Sequence, residues 1–149
     1  MTMFRRFHKE DYSWDDVDRL VYKNDGSPFK DVTRQVLFNG LGNVPCQLRY
    51  FEVQAGGYST LEHHEHVHLV VIFRGSGQAL LGQEVHDVAV GDVLSIAPGE
   101  YHQFRANKGE PLGFLCLVNV DRDKVKLPSP DEVGQMKQDE AVKKFFESK

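Results

Sequence analysis

Between Gln47 and Asn119 the chain is a succession of short β-type runs, most of them ended by a glycine, and no helical periodicity interrupts them. The runs read QLRYFEV, YSTLEH, HLVVIF, QALL, EVHDVAV, VLSIA, HQFRA and LGFLCLV. Between them stand Gly56-Gly57, Gly75-Ser76-Gly77, Gly82, Gly91-Asp92, Pro98-Gly99 and Asn107 to Pro111. β-branched and aromatic residues suit a pleated surface, and glycine turns a chain without steric cost. Many short strands at this spacing therefore predict an all-β fold, an antiparallel barrel or sandwich. The chain's 149 residues are one domain's worth, enough to bury a core without disulfides or structural metal.

The flanks have a different texture. Residues 1–45 are expected to form an N-terminal extension packed on the barrel of residues 46–120. Within it, Ser13 to Tyr22 predicts one or two helical turns capped by Ser13, with Val17, Leu20 and Val21 on one face. Asn24 to Phe29 is turn chemistry, and Val32 to Phe38 predicts a strand before a break at Asn39 to Pro45. Residues 121–149 form a linker, with Pro128-Ser129-Pro130, followed by a C-terminal helix capped by Asp131. Val133, Met136, Val142, Phe145 and Phe146 make its apolar face, to be buried across the barrel mouth or against a subunit partner.

Composition excludes several functions. With 18 Lys plus Arg against 22 Asp plus Glu, a net charge of −4 leaves no electrostatic footprint for nucleic acid. The longest apolar run, Leu69 to Phe73, is far short of the roughly 20 residues a membrane span needs. The N-terminus MTMFRRFHKEDYSW has no apolar core of signal-peptide length, so the expectation is a cytoplasmic protein. Cys46 and Cys116, far apart in strand-like surroundings, read as two buried thiols and not as a disulfide framework.

Four of the seven histidines, His63, His64, His66 and His68, crowd into LEHHEHVHLVVIF, where the chain reads as strand, turn, strand. Residues two apart on a strand share a face, so Glu62 and His64 project together while His63 projects to the opposite, outer side. After the turn, His68 shares a face with Val70 and Ile72. If that face lines the interior, Glu62, His64 and His68 converge from two strands, and His102 in PGEYHQF closes the site. Neutral imidazoles with one carboxylate hold a divalent transition metal such as Mn, Fe, Co, Ni, Cu or Zn. His66, in the turn, is an alternative ligand in place of Glu62; otherwise it gates access or carries protons. His8 and His86 stand alone and read as structural or solvated.

Gly56 to Ala106 resembles the two motifs of the cupin superfamily. Aligned on Gly56 and Gly75, Glu62 and His64 fall at that family's two histidine positions and His68 at its glutamate position, so residue types are exchanged while the sum of three His and one Glu is kept. GDVLSIAPGEYHQFRAN matches the second motif through Gly91, Gly99 and His102, with Ala97 at the expected proline beside Pro98 and Ala106 at the expected asparagine beside Asn107. The 15 residues between Gly75 and Gly91 resemble the spacing of compact microbial cupins. The resemblance implies a jelly-roll barrel, or double-stranded β-helix, with metal ligands Glu62, His64, His68 and His102. It also implies a homodimer, for which the extra strand and amphipathic helix supply apolar surface.

Cupins host dioxygenases, decarboxylases, isomerases, lyases, sensors and storage proteins, so the fold does not name a reaction. The expectation is a small metalloenzyme acting on a small carboxylate or aromatic compound; the alternative is a non-catalytic module that binds or senses a small molecule. Tyr50, Glu52, Tyr58, Tyr101 and Arg105 are polar candidates near the mouth, each with an equally plain role on an outer face, and none is assigned as catalytic. If His102 points inward, Phe104 does too, and Val70 and Ile72 add to an apolar wall beside the metal.

Overall fold

The computed structural model describes residues 2–21 and 29–148. Its strands are β1 (Phe7–His8), β2 (Ser13–Trp14), β3 (Leu20–Val21), β4 (Lys30–Leu41), β5 (Val44–Tyr58), β6 (His68–Leu81), β7 (Glu84–Ala89), β8 (Val93–Ile96), β9 (His102–Ala106) and β10 (Leu112–Asn119). Two helices follow, α1 (Pro130–Met136) and α2 (Glu140–Glu147). β1 and β2 pair with each other, and the other eight strands make one antiparallel sheet. β10 pairs with β6, β6 with β9, β9 with β5, and β5 again with β10, which closes the all-β barrel the sequence predicts. β4 extends the sheet from β5, so the strand expected at Val32 to Phe38 is present and longer than predicted. The turn expected at Asn24 to Phe29 lies, apart from Phe29, outside the described residues.

The long strands correct the reading of two glycine pairs as turns. β6 runs unbroken through Gly75-Ser76-Gly77, and β5 through Gly56-Gly57. Instead of reversing the chain, Gly75 adopts a φ of +66° that marks a kink, and a Cβ on Gly77 would lie 2.1 Å from the Arg105 carbonyl oxygen of β9. These glycines let strands approach more closely than any side chain permits. Gly77→Ala must push β6 away from β9, and a loss of about 3 kcal/mol or more in the free energy of unfolding is expected from a denaturation midpoint.

Inward alternation builds the core. His68, Val70 and Ile72 are buried on β6 while Leu69 and Val71 are exposed. The inner residues pack with Val53 of β5, Phe104 of β9 and Leu112, Phe114 and Val118 of β10. Outside, the N-terminal extension folds over one end of the sheet. The helical turns expected from Ser13 are absent: Ser13 and Trp14 pair with His8 and Phe7 in β2, and Tyr12 and Asp16 hold positive φ, which no helix tolerates. Tertiary packing overrides the local pattern, because the Trp14 ring sits 4.9 Å from Phe7 and 5.2 Å from Tyr50. Tyr50, for which the sequence leaves both the mouth and an outer face open, is thereby fully buried on the outside of the barrel, where its hydroxyl donates to Glu52.

The single C-terminal helix divides in two. Ser129, not Asp131, caps α1 in a reciprocal capping box with Glu132, and Asp139 caps α2 by accepting from the Ala141 and Val142 amides. Met136, Val142 and Phe145 bury themselves against Leu61 and Leu80, on the outer side of β6 and not across the mouth. Arg105 points outward as alternation predicts, and donates to the Ser148 and Phe146 carbonyls at the end of α2. Among the described residues no helix is long and apolar enough to cross a membrane.

Candidate metal centre and cavity

The segment before β6 reaches the barrel through an isolated bridge in which Glu62 and His102 exchange both backbone hydrogen bonds, at 3.2 and 2.9 Å. Directly opposed residues in antiparallel chains present side chains to the same face, so Glu62 and His102 look inward together. Glu62 Oε1 lies 3.8 Å from His102 Nε2. His64 follows two residues on, its carbonyl held by the Gly99 amide, and His68 opens β6 on the inner face. His64, His68 and His102 are all buried and each offers a ring nitrogen, the three within 4.8 Å of one another.

Hydrogen bonding sorts the ring nitrogens. His64 Nδ1 bonds the His66 carbonyl and His102 Nδ1 the Glu100 carbonyl, which makes each Nδ1 a donor and leaves each Nε2 with its lone pair. Both Nε2 atoms are buried with no hydrogen-bond partner. Burial also pushes the imidazoles away from the charged form: His64 and His68 are lowered, and His102 falls to about 4. Neighbouring histidines add to the effect on each. Burial raises the Glu62 carboxyl to about 7, with Arg49 partly opposing it. Unpartnered neutral imidazoles converging beside a desolvated carboxylate fit a divalent transition metal, because metal ligation satisfies lone pairs that nothing else in the site satisfies.

His66 is not a free turn residue. Its ring stacks on His64 at 3.7 Å between centroids, and it lines the cavity. Its Nδ1 is 2.7 Å from Asp123 Oδ1, and Asp123 also accepts the backbone amides of Glu65 and His66. Those donors, the Glu65 amide first, hold the Asp123 carboxyl well below the usual range. Lys126 exchanges two backbone bonds with His63, so residues 123–126, read in sequence as a linker, strap the histidine loop in place. His63 is only half-exposed, its ring edge-on to Tyr101 at 4.5 Å, which corrects the expectation of a plain surface histidine. His8 and His86 lie away from the site, beside Asp15 and Glu84.

The cavity that His66, His68 and His102 line is walled by Phe29, Val32, Phe51, Phe104 and Phe114, with Arg49 and Cys116 from β5 and β10 and Arg122, Asp123 and Val125 from the segment after β10. Phe104 is on the wall as expected. Val70 and Ile72 share the inner face with His68 but belong to the packed core and not to the wall, because the aromatic rings of β5, β9 and β10 fill the space before them. Sequence reading missed Arg49, Phe51, Phe114 and Cys116. The signal was present: Arg49, Phe51 and Val53 occupy one parity of QLRYFEV, and Phe114, Cys116 and Val118 one parity of LGFLCLV, but nothing in either run told which parity faced in. Arg49 Nη2 donates to Cys116 Sγ at 3.3 Å, and both residues are buried.

A closed antiparallel barrel with a histidine cluster inside one end is the architecture of a cupin, and a cupin domain model matches residues 49–118. The chain belongs to the cupin superfamily. It is 49% identical to 1-methylthio-D-xylulose 5-phosphate methylsulfurylase of Rhodospirillum rubrum over 145 residues, 97% of this chain and 92% of that protein. Among solved structures, a cupin 2 conserved barrel domain protein of Rhodopseudomonas palustris is 48% identical at a TM-score of 0.89, covering 96% of this chain and 98% of that one. A cupin-2 domain protein of Rhodospirillum rubrum is 46% identical at a TM-score of 0.89, with 96% of each chain covered.

Proposed function

We propose that this chain is a metal-dependent enzyme that takes the methylthio group from C1 of a 1-methylthio-ketose 5-phosphate, the substrate named for its Rhodospirillum rubrum relative, and passes it to a thiol. One observation carries the reading: the Cys116 thiol lines the same largely apolar cavity as His68 and His102 of the histidine triad. This replaces the broader expectation of a small carboxylate or aromatic substrate.

The chemistry needs both groups. In such a substrate the sulfur sits beside a ketone, so breaking the C1–S bond heterolytically places an electron pair where the carbonyl can accept it. Cys116, as thiolate, attacks the methylthio sulfur; an S–S bond forms, the C1–S bond breaks, and its electron pair passes into the C2 carbonyl as an enolate. Protonation at C1 yields the 1-deoxy-ketose 5-phosphate. C1 is reduced by two electrons and the two sulfurs are oxidised to a methyl disulfide on Cys116. A small-molecule thiol then attacks the Cys116 disulfide, leaves with the methylthio group and restores the Cys116 thiol. A divalent transition metal held by His64, His68 and His102, with Glu62 as carboxylate donor, supplies when bound a positive charge that polarises the ketone.

The chain's residues do the rest. Phe51, Phe104 and Phe114 keep water from the reacting sulfur, and the strap of residues 123–126 holds His66 over the triad. The test is turnover of 1-methylthio-D-xylulose 5-phosphate by the metal-loaded protein with a small thiol present, followed by NMR for a new C1 methyl signal. Withholding the small thiol should stop the reaction after one turnover, with the protein heavier by one methylthio group in intact mass spectrometry. Absence of any 1-deoxy product under these conditions would sink the reading.

A further inference from the structure

A buried guanidinium is costly unless an anion lies beside it. Arg49 is only 6% exposed, and among the described residues it makes no ion pair. Its Nε is buried without a hydrogen-bond partner. Its ring contact is with Phe51, the guanidinium carbon 4.9 Å from the centroid, which fixes the plane of the fork. Among the described residues the one polar atom that the fork reaches is Cys116 Sγ, at 3.3 Å. Arg49 and Cys116 are also directly opposed across β5 and β10, so the backbone register itself brings them together on the inner face.

We propose that Arg49 is a positioning residue for Cys116: its guanidinium donates to the sulfur, aims it into the cavity and favours its thiolate over the thiol. The inference rests on the methylthio-transfer reading for its purpose, but not for its geometry. Burial is the largest influence and pushes the Cys116 thiol above its ordinary value; the Arg49 charge and hydrogen bond act against burial and hold that rise in check. Other charged and titratable groups face the same space: Glu62 disfavours the thiolate, Arg122 favours it, and His66, His68, His102 and Asp123 line the cavity. Of these groups Arg49 alone is within hydrogen-bonding distance of Sγ.

The test reads the sulfur directly. Methyl methanethiosulfonate is a small reagent that places a methylthio group on a thiolate; its rate of reaction with Cys116 is followed against pH by peptide mass spectrometry, with Cys46, half-exposed at the start of β5, as internal reference. Arg49→Gln should move the Cys116 profile to higher pH by at least about one unit, slowing modification about tenfold or more at pH 7.5 and leaving Cys46 unchanged. Arg49→Lys keeps the charge without the planar fork and should restore part of the shift. An unchanged Cys116 profile in a folded Arg49→Gln protein, with only KM for the sugar phosphate raised, would overturn the proposal and make the guanidinium a substrate contact. Because the reagent needs no turnover, this outcome is independent of whether Cys116→Ser abolishes the enzymatic reaction.

Discussion

Under the proposed reaction, replacing Cys116 by serine should lower methylthio transfer by more than about a thousandfold, because an alcohol in the same place is neither ionised at neutral pH nor a match for sulfur as the partner in an S–S bond. The substitution leaves the triad untouched, so metal content by elemental analysis should stay at the wild-type level. Cys116 is 1% exposed, and a buried hydroxyl near Arg49 can still take the guanidinium hydrogen bond. The protein should therefore remain folded, with a loss of about 1–2 kcal/mol in unfolding free energy. Cys46→Ser, on the outer end of β5, should change neither turnover nor metal content. Wild-type rates in Cys116→Ser would remove the thiol from the chemistry.

Loss of any one imidazole of the triad should be equally severe, and for a different reason. His64→Ala, His68→Ala and His102→Ala each delete one imidazole of the buried cluster, in which His64 and His102 have an Nε2 with no other partner, and bound transition metal should fall well below one per chain. His86→Ala, beside Glu84 at the protein surface, should not alter it. Glu62→Gln and His66→Ala separate the two readings of the anionic ligand. Glu62 Oε1 lies 3.8 Å from His102 Nε2, beside the three imidazoles whose ring nitrogens form the tight cluster. Glu62→Gln should thus weaken metal binding, whereas His66→Ala, whose ring is pinned by Asp123, should keep the metal and lose turnover. The reverse pattern would make the centre all-histidine.

The strand content, the inward set on β6 and the convergence of Glu62, His64, His68 and His102 were legible without any structure. The inward set on β6 rests on alternation, which is local: once His68 is taken as inward, Val70 and Ile72 must follow, whereas the convergence of the four residues was conditional on that inward face and on the cupin resemblance. The glycines were legible as special positions but not as what they do. Gly77 is required because a neighbouring strand's carbonyl occupies the space of its Cβ, and that neighbour, β9, is distant in sequence.

Parity between strands is a different matter. QLRYFEV offers Arg49 and Phe51 or Tyr50 and Glu52 to the interior, and both sets make chemical sense; Tyr50 and Glu52 even form a buried polar pair, though on the outer face under Trp14. Only closure of the barrel by β10 against β5 selects Arg49 and Cys116 together. The same holds for Asp123, an unremarkable acid in a linker until the strap lays it on the His66 ring. Local periodicity and donor chemistry, which act over a few residues, determined from the sequence a β-barrel with a histidine site. The tertiary structure decided which face of β5 and β10 looks inward, and hence that Cys116 and Arg49 line one cavity with His66, His68 and His102, because inter-strand register is set by long-range packing that no short segment encodes.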